Sequence, residues 1–195
     1  MEKQNSHYIY PVSKARFFIA LVPPEALSEE IMVWKRYFER QFNSRAALRS
    51  PPHLTLHMPF LWPEKRESEL HASFSALAQS SSDFTIHLQG FGAFPPRVIY
   101  VAVAPQPELL AFQEKVAIAA RKELHLLHPT HKGHGFHPHI TVAFRDLRKT
   151  DFETAWKQLE TTSFKATWNI SDLAVLKHDG KRWNIWQQFP LSEQM

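Results

Sequence analysis

Two pentapeptides far apart in the chain repeat one pattern: Pro52-His53-Leu54-Thr55-Leu56 and Pro138-His139-Ile140-Thr141-Val142. Side chains two apart on a strand share a face, so His53 projects with Thr55 and His139 with Thr141, while Leu54, Leu56, Ile140 and Val142 turn toward a core. If both strands border one cleft, two imidazoles and two hydroxyls surround one ligand. That set suits phosphodiester chemistry without a metal. One imidazole takes a proton from the attacking hydroxyl or water, and an imidazolium returns one to the leaving oxygen, because the ring titrates near neutrality. The threonine hydroxyls can donate to the non-bridging phosphate oxygens.

A second feature competes for the same chemistry. The stretch HLLHPTHKGHGFHPH carries histidines at 125, 128, 131, 134, 137 and 139. Such a run can supply nitrogen ligands to zinc or nickel, but there is no cysteine and the nearest acids are Glu123 and Asp146. No metal is expected. His128-Pro129-Thr130 mimics the His-x-Thr pattern, but its central proline argues against a strand interior. His125 and His128 are expected near the end of a helix terminated by Pro129. His131, Lys132 and His134 lie in a Gly-containing loop leading to the second motif, where they either touch a nucleotide's outer phosphates or, the favoured reading, are solvated. His57 and His137 each stand two or four residues from a motif residue on the same side. They either tune the neighbouring ring or lie at a solvated strand end.

The elements that must position the motifs also repeat. RFFIALVPPEAL (16–27) and RVIYVAVAPQPEL (97–109) each run from an arginine through a strand-like segment to a Pro-Glu helix start. Arg16 and Arg97 open the repeated strands and either flank the groove or, as arginine at a strand start more often does, point to solvent; neither is counted in the site. Helical periodicity follows, with Leu27, Ile31, Trp34, Phe38 and Phe42 on one face of the first copy and Leu109, Phe112, Val116 and Ala119 on one face of the second. Each motif leads to a short helical pattern (Leu70, Phe74, Leu77; Phe152, Trp156, Leu159) and then to a strand-like segment, FTIHLQGF or FKATWNISDLAVL. RWNIWQQFPL closes the chain after the turn His178-Asp179-Gly180-Lys181. The order is strand–helix–strand–helix–strand, twice, plus a terminal strand: an α+β fold with two related lobes. One domain is expected over 1–195, its lobes spanning approximately 14–92 and 95–190.

Composition limits the function classes. With 44% apolar and 13% aromatic residues the chain can build a packed core, and no apolar run nears the ~20 residues of a membrane span. The N-terminus lacks a secretory apolar segment, so a soluble, cytoplasmic protein without membrane contact is expected. A net charge of +4 biases it mildly toward anionic partners. Five glycines, none in a phosphate-cradling run, argue against a P-loop enzyme.

Taken together, RFFIALVPP, PHLTL, LQGFGAFPPRVIYVAV, PHITVAF and the closing FPL resemble the two-histidine (2H) phosphoesterases, specifically the group of 2'-5' RNA ligases and RNA 2',3'-cyclic phosphodiesterases. The resemblance covers nearly the whole chain. It implies a bilobal, pseudo-twofold pair of antiparallel sheets flanked by helices, around a central groove. It implies His53 and His139 as the acid–base pair and Thr55 and Thr141 as phosphate contacts, with no cofactor. RNA ends or nucleotides are the implied substrates, hydrolysed at a 2',3'-cyclic or 2'-5' phosphodiester or joined by the reverse 2'-5' ligation, and no obligate protein partner is implied. After HLTL this chain reads HMPFLWP where many members carry a Phe-Leu-Gly-type stretch, which alters the groove wall beside the first motif. A nucleotide-binding module without turnover and a His-cluster metal protein are the competing readings.

Overall fold

A computed structural model describes residues 13–126 and 135–193. In chain order the elements are β1 (Lys14–Leu21), α1 (Glu25–Phe42), β2 (Leu54–Pro63), α2 (Glu67–Gln79), β3 (Phe84–Phe94), β4 (Val98–Val103), α3 (Pro107–Lys122), β5 (His139–Ala143), α4 (Lys149–Leu159), β6 (Lys165–Ile170), β7 (Asp172–His178) and β8 (Trp183–Pro190). Every strand pairing is antiparallel, in the order β6-β3-β4-β5-β2-β1-β7-β8. The expected α+β class holds, and the two expected sheets are joined edge to edge: β5 and β2 meet at Leu54 and Ile140.

FKATWNISDLAVL is two strands and not one, which raises the strand number from the expected seven to eight. β6 pairs with β3 and β7 with β1, near opposite ends of the sheet, yet only Ser171 separates them. One extended residue spans ~3.5 Å, so the sheet must curl until these distant strands approach one another. The chain end reinforces the curl: Asp83 N–H donates to the Ser192 carbonyl and Ser192 N–H to that of Ser81. The halves of the sheet therefore exchange strands relative to the repeats in sequence, β3 lying beside β4 while β7 lies beside β1 and carries β8 on its outer edge.

The two faces of the curled sheet have different cores. Phe17, Ile19, Leu21, Leu54, Leu56, Ile140 and Val142 belong to the main core with the helices. The helices also exchange: α1 packs against β5 and α3 against β2. On the opposite face Phe18, Ala20, Ala174 and Leu176 form a small separate cluster, with Trp183 packed against it. Both long helices stop at a left-handed residue, Asn43 (φ 51°) after α1 and His125 (φ 54°) after α3. In each case the next N–H reaches back six residues, Ser44 to Phe38 and Leu126 to Ala120. His125 is thus a helix stop in itself, and α3 ends at Lys122 rather than continuing toward Pro129. No described helix is long and apolar enough to cross a membrane.

Candidate active site

The seam between β5 and β2 builds the site. Leu54 stands opposite Ile140, and both point into the main core. In an antiparallel ladder the residues flanking such a pair also face each other, so His53 lies across from Thr141 and Thr55 across from His139, all four on the other face. Directly opposed Cβ atoms are about 4.5–5.5 Å apart and diagonal ones roughly 7–8 Å. Each histidine thus faces the other motif's threonine, and the two rings lie on a diagonal. The outer neighbours agree: Thr55 pairs with Ala20, on the small-cluster face, and Thr141 with Tyr100. Among the described residues neither threonine hydroxyl has a hydrogen-bond partner, so both can turn toward a ligand.

Each ring is oriented by the same local bond. His53 Nδ1 donates to the Pro51 carbonyl at 2.8 Å, and His139 Nδ1 to the His137 carbonyl at 2.7 Å. A carbonyl only accepts, so Nδ1 carries hydrogen in both and Nε2 is left to exchange protons. The preceding prolines explain the repetition. Pro52 and Pro138 hold φ near −65° and keep residues 51 and 137 extended, which presents those carbonyls to the ring two positions on. Beneath the rings, Phe18 lies 4.8 Å from His53, while Tyr100 and Phe94 lie 5.0 and 5.1 Å from His139. Gly92 lets the Tyr100 ring lie flat across β3, since a Cβ there would come within 2.3 Å of it.

The two rings differ electrostatically. His53 is half-buried, and desolvation, with help from the Lys35 ammonium, pushes its pKa down to about 4 against the opposing pull of the Pro51 bond; the charge of His139 also reaches it. Burial lowers the pKa of His139 as well, partly offset by its bond to the His137 carbonyl. Lys35 is 1% exposed, donates to the carbonyls of Ala47 and Ser50 at 3.0 Å each, and is pushed down by burial to about 7. It lies on the core face of α1 with Leu27, Ile31 and Phe38, where the periodicity marks only apolar residues, Leu27, Ile31, Trp34, Phe38 and Phe42. Its partners lie just before His53 in the chain, so it also anchors the segment that presents that ring.

The remaining candidates separate. His57 does not share the face of His53 and Thr55. Ala20 pairs with Thr55 but Ile19 with His57, so Leu56 is an extra residue and the bulge turns His57 into the Ile19 face. There it is 1% exposed, with Nδ1 donating to the Met58 carbonyl. His137 is exposed, its Nε2 3.0 Å from the Tyr100 hydroxyl. His128, Thr130, His131, Lys132 and His134 lie outside the described residues. Among those described, no three His, Asp or Glu side chains gather as metal ligands would. Sequence reading missed Phe18, Lys35, Phe94 and Tyr100; only the prolines before each histidine hinted at the orienting carbonyls. A cleft of about 730 Å³ opens at the β1–β7–β8 end, lined by Arg16, His178, Asp179 and Ile185 among others. It contains none of the four motif residues.

The model of the 2'-5' RNA ligase superfamily matches residues 23–182, most of the chain and both motifs. The chain belongs to this superfamily. Within the wider set of similar proteins, one from Geobacillus sp. (strain WCH70), named as a candidate phosphoesterase, is 27% identical over 180 residues, covering 89% of this chain and 95% of its own. Another of that description, from Bacillus cytotoxicus, is 28% identical over 153 residues, covering 73% of this chain and 80% of its own. Two solved structures share the fold. E. coli LigT in complex with 3'-AMP superposes with a TM-score of 0.67 at 19% identity, over 92% of this chain and 99% of that one. TT0787 of Thermus thermophilus gives 0.66 at 21%, over 92% and 100%. At such identities the likeness concerns the fold, and the superfamily match supplies the membership.

Proposed function

We propose that this member of the 2'-5' RNA ligase superfamily is a metal-independent phosphoesterase acting on a 2',3'-cyclic phosphate or a 2'-5' phosphodiester at an RNA end or in a small nucleotide. The observation that carries this reading is the Leu54–Ile140 pairing, which brings both His-x-Thr motifs to one face with both Nε2 atoms left for proton exchange. Two candidate acids or bases flank the space above the seam, each facing a threonine hydroxyl. Fold likeness to LigT, solved with 3'-AMP, is consistent with a nucleotide occupying that space.

His53 serves as the base, because its pKa is held lower, and His139 as the acid. A water lying over phosphorus gives its proton to His53 Nε2 as its oxygen bonds to phosphorus. The ester bond to the 3'-oxygen breaks, and that oxygen takes the proton from His139 Nε2, leaving a 2'-monophosphate. Thr55 and Thr141 donate to the non-bridging oxygens as charge redistributes there. With a 5'-hydroxyl in place of water the same steps join it to a cyclic end through a 2'-5' bond, and their reverse, with the two rings exchanging roles, cleaves a 2'-5' bond to the cyclic phosphate and a free 5'-hydroxyl.

Purified protein incubated with 2',3'-cyclic nucleotides, cyclic-ended RNA and 2'-5' oligonucleotides tests the proposal, with 2' and 3' products resolved. Turnover is expected to persist in a chelator. His53→Ala and His139→Ala should each lose about 10²–10⁴-fold in kcat/KM. Full activity in either variant, or binding without product, refutes the assignment.

A further inference from the structure

Beside the proposed reaction centre, the same face of the sheet carries cationic and donor groups that the chemistry leaves unused. A chain of ring contacts leads to them: His53 to Phe18 at 4.8 Å, Phe18 to Trp183 at 4.7 Å, and Trp183 to His178 at 4.8 Å. The Arg16 guanidinium lies over Trp183 at 6.0 Å, and its Nη2 donates to His178 Nδ1 at 3.2 Å. Arg16 stands two residues before Phe18 on β1, ~6.6 Å along the strand on the same face.

We infer that Arg16 and His178 form a subsite for a second phosphate, one nucleoside unit away from the phosphate held between His53 and His139. Three observations carry it. First, His178 Nδ1 also accepts from the Gly180 N–H at 3.0 Å, so Nδ1 is unprotonated and the neutral ring presents Nε2–H as a donor. This is the tautomer opposite to that of His53 and His139, and it suits holding an anion rather than receiving a proton. Second, Arg16 spends one N–H on a neutral imidazole. Among the described residues Arg16 has no carboxylate partner. Third, the acids nearby are already engaged. Asp179 accepts from the N–H groups of Lys181 and Arg182 and from Asn184 Nδ2, which closes the β7–β8 turn. Glu64 is held by Lys177 and Ser13. Burial and then the Arg16 cation lower the pKa of His178, against the opposing charge of Asp179.

A guanidinium and an imidazole N–H beside an aromatic ring, with the neighbouring Asp179 and Glu64 carboxylates engaged by their own donors, fit a phosphate attached to a base or sugar that rests on Trp183. The phosphate can be the 5'-phosphate of a small nucleotide or the internucleotide phosphate of an RNA end, and it selects substrates carrying two phosphates over a cyclic mononucleoside. This assignment rests on the proposed function for the place of the reacting phosphate, but it can be tested without turnover.

Calorimetric binding of 2'-AMP, adenosine 2',5'-bisphosphate and the dinucleotide ApA bearing a 2'-terminal phosphate is compared for the unaltered protein, Arg16→Gln and Lys157→Gln. Lys157, exposed on α4, controls for the loss of one positive charge. The unaltered protein is expected to bind a two-phosphate ligand about tenfold tighter than 2'-AMP. That preference should disappear in Arg16→Gln and survive in Lys157→Gln. Preference for the bisphosphate alone identifies a small-nucleotide site, and preference for the dinucleotide an RNA-end site; both support the subsite. Equal affinity for one and two phosphates, no binding of any of them, or an unchanged preference in Arg16→Gln overturns it. Failure of cyclic-phosphate turnover with the preference intact sinks the proposed reaction but not the subsite.

Discussion

His53 and His139 have the same residue type, the same Nδ1 partner class and mirrored positions, yet unequal surroundings. The charge of the buried Lys35 on α1 lowers the pKa of His53 and is not among the causes acting on His139. A cation near an imidazole disfavours its protonation, so His53 stays a proton acceptor to lower pH than His139 does. For the free protein the kcat/KM profile on a cyclic mononucleotide should therefore be bell-shaped and acid-shifted. Its acid limb should fall near the His53 value of about 4, and its alkaline limb below the ordinary histidine value of 6.5. Lys35→Met removes the cation, so the acid limb should move to higher pH while the alkaline limb stays. A stopped assay from pH 3.5 to 8 checks both; an acid limb unchanged in Lys35→Met would remove Lys35 from the account.

Between elements, the two motifs are tied by a side chain that belongs to neither. Asp146, just past β5, accepts from Ser44 Oγ at 2.8 Å and from the N–H groups of Arg45 and Ala46 at 2.8 and 2.9 Å. Those residues open the short 3₁₀ turn Ala46–Arg49 that precedes His53, and Lys35 holds the other end of it. One carboxylate thus couples the end of the second motif strand to the approach of the first. Asp146→Ala removes three charge-assisted bonds, two of them to backbone donors. It should cost about 2–3 kcal/mol by chemical denaturation. Ser44→Ala removes one bond and should cost about 1 kcal/mol. Activity of Asp146→Ala should fall further than that of Ser44→Ala under conditions where both are fully folded.

At the scale of the molecule, the seam between the half-sheets is narrow, and the proposed chemistry straddles it. Leu54 is 0% exposed and forms that seam with Ile140, while Ile86 is equally buried in β3, away from it. Truncating either should cost about 2–5 kcal/mol, because each leaves a cavity in one core. The two should differ in function. Leu54→Ala lets β2 and β5 shift relative to each other and should lower kcat at a temperature where both variants are folded, while Ile86→Ala keeps near-normal kcat. Equal losses in kcat would mean that the seam does not set the distance between the rings.

The strands, the helices and the two motifs were legible in the chain because each is a local pattern. Alternation marks strands, the 3.6-residue period marks helices, and duplication made PHLTL and PHITV stand out against a background of twelve histidines. The Pro-His pair even encodes the ring orientation, since a proline constrains only its neighbours. What tertiary structure decided is non-local. It set which strand lies beside which, and so placed each histidine opposite the other motif's threonine rather than merely beside its own. A one-residue bulge sent His57 into the core, although period-two reading put it with His53. FKATWNISDLAVL became two strands because the curled sheet needed partners at both ends. Lys35 reads as a surface residue in a helix, and Arg16 as a solvated strand start; only packing gave one a buried charge near His53 and the other an aromatic neighbour with its cation unpaired. Local periodicity specifies elements. Register, burial and electrostatic environment arise only when distant segments share a surface.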